Sequence, residues 1–67
     1  MNVASIGTWA GLVWNALNDA QKGLTLKELR KATKLKVNEL HTAIGWLAKE
    51  GKLNFDETEA DIVVSLC

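Results

Sequence analysis

The sequence predicts an α+β domain in which three helices are followed by an antiparallel hairpin. Three features carry that expectation. Apolar residues recur at spacings of three and four in three separate runs. The second and third runs are parted by only about three residues, and residues 52–56 and 61–66 switch to the alternation of half-buried strands.

The first helix is expected over about residues 3–22, where Ile6, Ala10, Val13 and Leu17 fall on one side and no proline interrupts. Its apolar arc, from Leu12 through Trp9 and Val13 to Trp14, is roughly 200° wide, whereas one core needs little more than about 100°. Such a helix has two surfaces to cover. Lys22 and Gly23 close it, the glycine as the residue that most easily takes a left-handed cap.

In "GLTLKELRKAT", Thr25 and Glu28 are spaced as a capping box, so a second helix runs over 26–33. Leu26, Leu29 and Ala32 form its inner stripe, while Lys27, Arg30 and Lys31 point outward; Leu24 and Thr25 can add a very short strand ahead of it. The third helix occupies 37–50, with Val37, Leu40, Ala43, Ile44, Leu47 and Ala48 inward and Gly51 as its cap. Two helices joined by so tight a turn form a helix-turn-helix. A hairpin at about 52–66 follows, Leu53 and Phe55 facing Ile62, Val64 and Leu66, with a loose connection through "ETEA".

Helix, short strand, helix, turn, helix and hairpin is the order of winged helix-turn-helix domains: a three-helix bundle with a small antiparallel β-hairpin wing, spanning residues 1–67 as one domain. The stretch "GLTLKELRKATKLKVNELHTAIGWLAKEGKL", with the N-terminal "VWNAL", resembles the small stand-alone winged-helix proteins of bacteria. That resemblance covers essentially the whole chain. It implies the three-helix core and the small sheet, and no particular activity.

Composition narrows the function. About half of the 67 residues are apolar and a quarter charged, which excludes a disordered tail, and no apolar run is long enough to span a membrane. Residues 1–22 have no basic region ahead of their apolar stretch, so no signal peptide is read there and a cytoplasmic protein is expected. Cys67 is the only cysteine, which leaves no internal disulfide and no multi-cysteine zinc site. His41 stands without a ligand-spaced companion and is expected to be half-buried and hydrogen-bonded. With no phosphate loop, nucleophile elbow or metal signature, the sequence suggests no enzyme, no cofactor, no metal and no small-molecule ligand.

Net charge is zero but unevenly spread. Residues 1–21 carry only Asp19; residues 22–36 carry Lys22, Lys27, Arg30, Lys31, Lys34 and Lys36 against Glu28; residues 37–67 carry Lys49 and Lys52 against six carboxylates. Lys27, Arg30, Lys31, Lys34 and Lys36 are therefore candidates for phosphate contacts on double-stranded DNA, the competing reading being a solvated lysine face. On the third helix the outward residues Asn38, Thr42 and Lys49 are candidates for base contacts, flanked by Glu39, Gly45 and Trp46.

The hairpin tip opposes this. Asp56, Glu57, Glu59 and Asp61 would repel DNA, so the wing is expected to turn away from it or to meet a different, unidentified protein partner. Their spacing lacks the glycine and frame of a calcium loop. Finally, Trp9, Leu12 and Trp14 at the margins of the first helix are candidates for a homodimer interface, which would also help so small a domain to bury apolar surface. The expected function is thus a transcription-associated, DNA-binding protein of weak or conditional affinity. The alternative is a protein-interaction or dimerisation module on the same scaffold.

Overall fold

A computed structural model describes residues 3–67. In chain order the elements are α1 (Val3–Ala20), β1 (Leu24–Thr25), α2 (Leu26–Thr33), α3 (Val37–Lys49), β2 (Leu53–Glu57) and β3 (Ile62–Leu66). The three helices and the hairpin expected from periodicity are all present. Their sheet has the order β1-β3-β2, antiparallel throughout. β3 is the central strand: Val64 stands opposite both Leu24 of β1 and Phe55 of β2.

The core forms where these faces meet. Val13 and Leu17 of α1, Leu29 of α2, Leu40 and Ala43 of α3 and Val64 of β3 are essentially inaccessible. Among the described residues no polar or charged residue is buried, so the core itself is held by apolar packing. Leu29, with none of its surface exposed, contributes about 1.5–3 kcal/mol by burial. α1 lies chiefly along α3, and α2 closes the bundle from the side next to β1.

Several local expectations are corrected. α1 ends at Ala20, and the left-handed residue that stops it is Gln21 (φ 53°), whose N–H donates to the Leu17 carbonyl at 3.1 Å. Gly23 has another duty. A Cβ there would lie 2.6 Å from Cγ1 of Val63, so glycine is what lets the chain entering β1 pass close to β3. Gly51 does take the expected left-handed conformation, at φ 72°.

Ala32 of α2, and Val37 and Ala48 of α3, are exposed, not inward. Leu40, Ala43, Ile44 and Leu47 already fill the width that α3 can bury, and Val37, one turn further toward the helix start, overhangs with 46% of its surface free. Phe55 likewise keeps 50% of its surface, although its register places it on the core side of the sheet. The hairpin connection is tighter than its composition suggests. Thr58 N–H and Oγ1 donate to the Asp61 carbonyl at 2.9 and 2.6 Å, and the Asp61 N–H donates to Thr58 Oγ1 at 3.1 Å.

Candidate nucleic-acid interface

The turn between α2 and α3 determines where the cations point. Thr25 and Glu28 form the expected capping box: the Thr25 N–H donates to the Glu28 carboxylate at 2.9 Å, and the Glu28 N–H to Thr25 Oγ1 at 3.1 Å. These bonds from Thr25 hold the Glu28 carboxyl below its ordinary value. α2 then ends at Lys34 in the left-handed conformation (φ 59°), its N–H donating to the Arg30 carbonyl at 2.8 Å. No glycine serves this turn. It is held instead by Leu35, which is buried in the core, and by Thr33, whose hydroxyl donates to the Leu29 carbonyl at 2.7 Å.

Because Leu35 is pinned inward, Lys34 and Lys36 on either side of it are thrown outward toward α2. Lys27, Arg30, Lys31, Lys34 and Lys36 consequently line one open concavity of about 430 Å³ with Leu35 in its floor. All five are exposed, and none makes a side-chain hydrogen bond or ion pair with another described residue. The nearby carboxylates are already committed. Glu28 serves the cap of α2, and Glu39 accepts the Lys36 N–H at 3.0 Å at the start of α3. The lysine ammonium has no lone pair to return to the first-turn amides, so the positive end of α3 is left facing solvent beside the concavity. Sequence reasoning did not assign Leu35 its part in turning the two lysines outward; its signal was a lone leucine between two lysines at the break of helical period.

Asn38, Thr42 and Lys49 lie on the outward side of α3, nearly opposite Leu40 and Leu47. Asn38 is closest to the concavity, whereas Lys49 stands about 16 Å further along the helix by its rise. The Thr42 hydroxyl donates to the Asn38 carbonyl at 2.7 Å, leaving its methyl and its two lone pairs to an outside partner. His41 is exposed, not half-buried, and makes no hydrogen bond with another described residue. It lies on the flank of α3 that faces the hairpin, where Leu26, His41, Ile44, Gly45, Phe55 and Ile62 border an apolar trough of about 330 Å³.

The hairpin tip remains acidic in space. The Asp61 carboxylate accepts the Ile62 N–H at 2.7 Å and the Lys27 N–H at 3.3 Å, tying the wing to the start of α2. Asp56, Glu57 and Glu59 are exposed without partners among the described residues. The tryptophans divide. Trp9 and Trp46 pack partly against the core, while Trp14 keeps 39% of its surface exposed. Trp14 and Trp46 share a groove of about 280 Å³ between α1 and α3. Leu12, 42% exposed, is on the far flank of α1 from Trp14, since two helical positions are about 200° apart. Trp9, Leu12 and Trp14 therefore do not make one patch.

A three-helix bundle whose second and third helices form a tight helix-turn-helix, backed by a three-stranded sheet ending in a hairpin, is a winged helix-turn-helix domain. The chain belongs to the family described as Winged helix-turn-helix domain (DUF2582), whose profile matches residues 1–66. It is similar to the protein BT2368 from Bacteroides thetaiotaomicron, known from a solution NMR structure. The two share 35% identity with a TM-score of 0.85, over 98% of this chain and 79% of that one. No protein of curated function matches the chain.

Proposed function

We propose that this winged helix is a cytoplasmic, non-enzymatic, transcription-associated protein that binds duplex DNA weakly and in a salt-dependent manner. The observation that carries the reading is the convergence of Lys27, Arg30, Lys31, Lys34 and Lys36, all without a side-chain partner among the described residues, on one concavity beside the start of α3. These side chains hold phosphates and set the register of the domain on the duplex. Asn38 and Thr42, at the end of α3 nearest the concavity, then face base edges, where an amide can pair with adenine and a methyl can meet thymine. The wing is held off by its carboxylates, which limits affinity to the helix-turn-helix side.

Anisotropy of a labelled duplex of arbitrary sequence at about 50 and 200 mM salt tests this. Binding at the lower salt that falls steeply at the higher supports the reading; no binding at the lower salt, or binding indifferent to salt, removes it.

A second reading is a protein-interaction module, favoured by the Trp14 and Trp46 groove on a helix with a single charge, Asp19. A pulldown that recovers one defined protein, lost on Trp14→Ala, with no retained nucleic acid would select it.

A further inference from the structure

Three depressions lie end to end on one side of the molecule. The basic concavity shares Lys27 and Arg30 with a middle depression of about 210 Å³ that also holds Val37 and Leu40. The middle one shares Leu26 and His41 with the apolar trough beside the hairpin. The trough is open because Gly45 and Ala48 of α3 are too small to cover the Phe55 ring; a Cβ on Gly45 would meet nothing within 4 Å. From Phe55 and Ile62 the strands run straight into Asp56, Glu57, Glu59 and Asp61. Asp61 reaches back to the Lys27 N–H, and from Arg30 across the trough to Glu57 the surface turns from cationic through apolar to anionic.

Asp61 is engaged by the Ile62 and Lys27 N–H groups, but among the described residues the side chains of the five cations and of Glu57 and Glu59 have no partner, and the two exposed large apolar residues beyond α1, Val37 and Phe55, border the depressions between them. DNA matches the cationic end and is repelled by the anionic one. A basic peptide does the reverse. A surface carrying the three characters in the opposite order matches the whole line, and the chain itself presents that surface when turned by half a revolution about an axis through the trough.

We propose that a second copy of this chain docks here as a two-fold dimer, with Phe55 of each copy against the apolar strip of the other. Lys27 and Arg30 of each meet Glu57 of its mate, which lies on the same face of β2 as Phe55. This retains the homodimer expected from composition but moves it away from α1. The stretch of α3 bordering the line, Lys36 to Ala48, is about 18 Å long, so the contact belongs to the small class below about 1,200 Å² and is weak and salt-sensitive. It does not depend on the DNA reading. It does use the same cations, so any duplex that binds there competes with dimer formation.

Sedimentation equilibrium of the full chain from about 10 µM to 1 mM, at about 50 and 500 mM salt, reads the association. At low salt the mass rises to that of two chains, and the rise shrinks at high salt. Arg30→Glu and Glu57→Arg, both at exposed positions, each raise the dissociation constant by about tenfold or more. An equimolar mixture of the two variants regains the dimer, because each cross-contact then pairs opposite signs. Phe55→Ser, checked for unchanged far-ultraviolet circular dichroism, weakens association at both salt concentrations. A chain monomeric at every concentration overturns the proposal. So does a dimer that survives both charge reversals, a mixture that stays monomeric, or a dimer lost on Trp14→Ala with the charge variants unaffected.

Discussion

Replacing Gly23 by alanine adds one methyl group just ahead of β1, where the chain runs against the Val63 side chain of β3. The new Cβ would sit 2.6 Å from Cγ1 of Val63 and 3.5 Å from the Val64 carbonyl oxygen, on the strand that both other strands pair with. Contact between carbons is comfortable only near about 3.5–4.0 Å, so roughly 1 Å of separation must be found. Val63 is β-branched, with little freedom about χ1, and β3 is held by pairing on both sides. The expected cost of such overpacking is about 1–3 kcal/mol, offset by about 0.4–1 kcal/mol from the stiffer unfolded chain. A net loss of about 1 kcal/mol lowers the melting temperature of a domain this small by roughly 4–8 °C. Urea unfolding followed by circular dichroism measures it. The same substitution made in a Val63→Ala background supplies the control, because the clash is then absent and the cost should vanish or turn into a gain. A Gly23→Ala chain as stable as the parent, or one equally destabilised in both backgrounds, would refute the close-approach argument.

Thr25→Ala removes the hydroxyl that accepts the Glu28 N–H and is expected to cost about 1 kcal/mol in the same urea experiment. The lowered Glu28 carboxyl gives a pH signature: its contribution is fully present above the ordinary value of 4.5 and is lost as pH falls through the lower folded value. The parent should accordingly lose more stability than Glu28→Gln over that acidic interval; parallel pH profiles would contradict it. Leu29→Ala empties a fully buried position and is expected to cost about 2–5 kcal/mol, enough to leave much of so small a domain unfolded by circular dichroism at room temperature. With five phosphate contacts the logarithm of duplex affinity should fall with the logarithm of salt at a slope of about −4.5, and Lys31→Ala should reduce that slope by about 0.9.

The helices and the hairpin were legible because each is written in apolar spacing, and the capping box because its two partners are three residues apart. What spacing could not reveal was the choice among residues at the edge of a stripe. Val37, Ala48 and Ala32 satisfy the period, but the width that a helix can bury was already taken by larger neighbours. Gly23 looked like a helix cap because glycine favours that role locally, and only the tertiary approach of Val63 reveals its use. The cationic cluster was visible as a run of residue types. That Lys34 and Lys36 converge with α2 depended on Leu35 turning inward, which a three-residue break cannot announce. The trough beside Phe55 was hidden for a similar reason: it arises where two small residues of α3 pass over a strand far along the chain.

The proposed DNA-facing side is α2 with the start of α3, and amide chemical shifts of the isotope-labelled chain titrated with duplex report that side residue by residue. The largest changes are expected over Lys27 to Asn38, extending to Thr42, with the hairpin tip at Asp56 to Asp61 little affected. Changes centred on the tip or on the Trp14 and Trp46 groove, with the α2 cations silent, would contradict it.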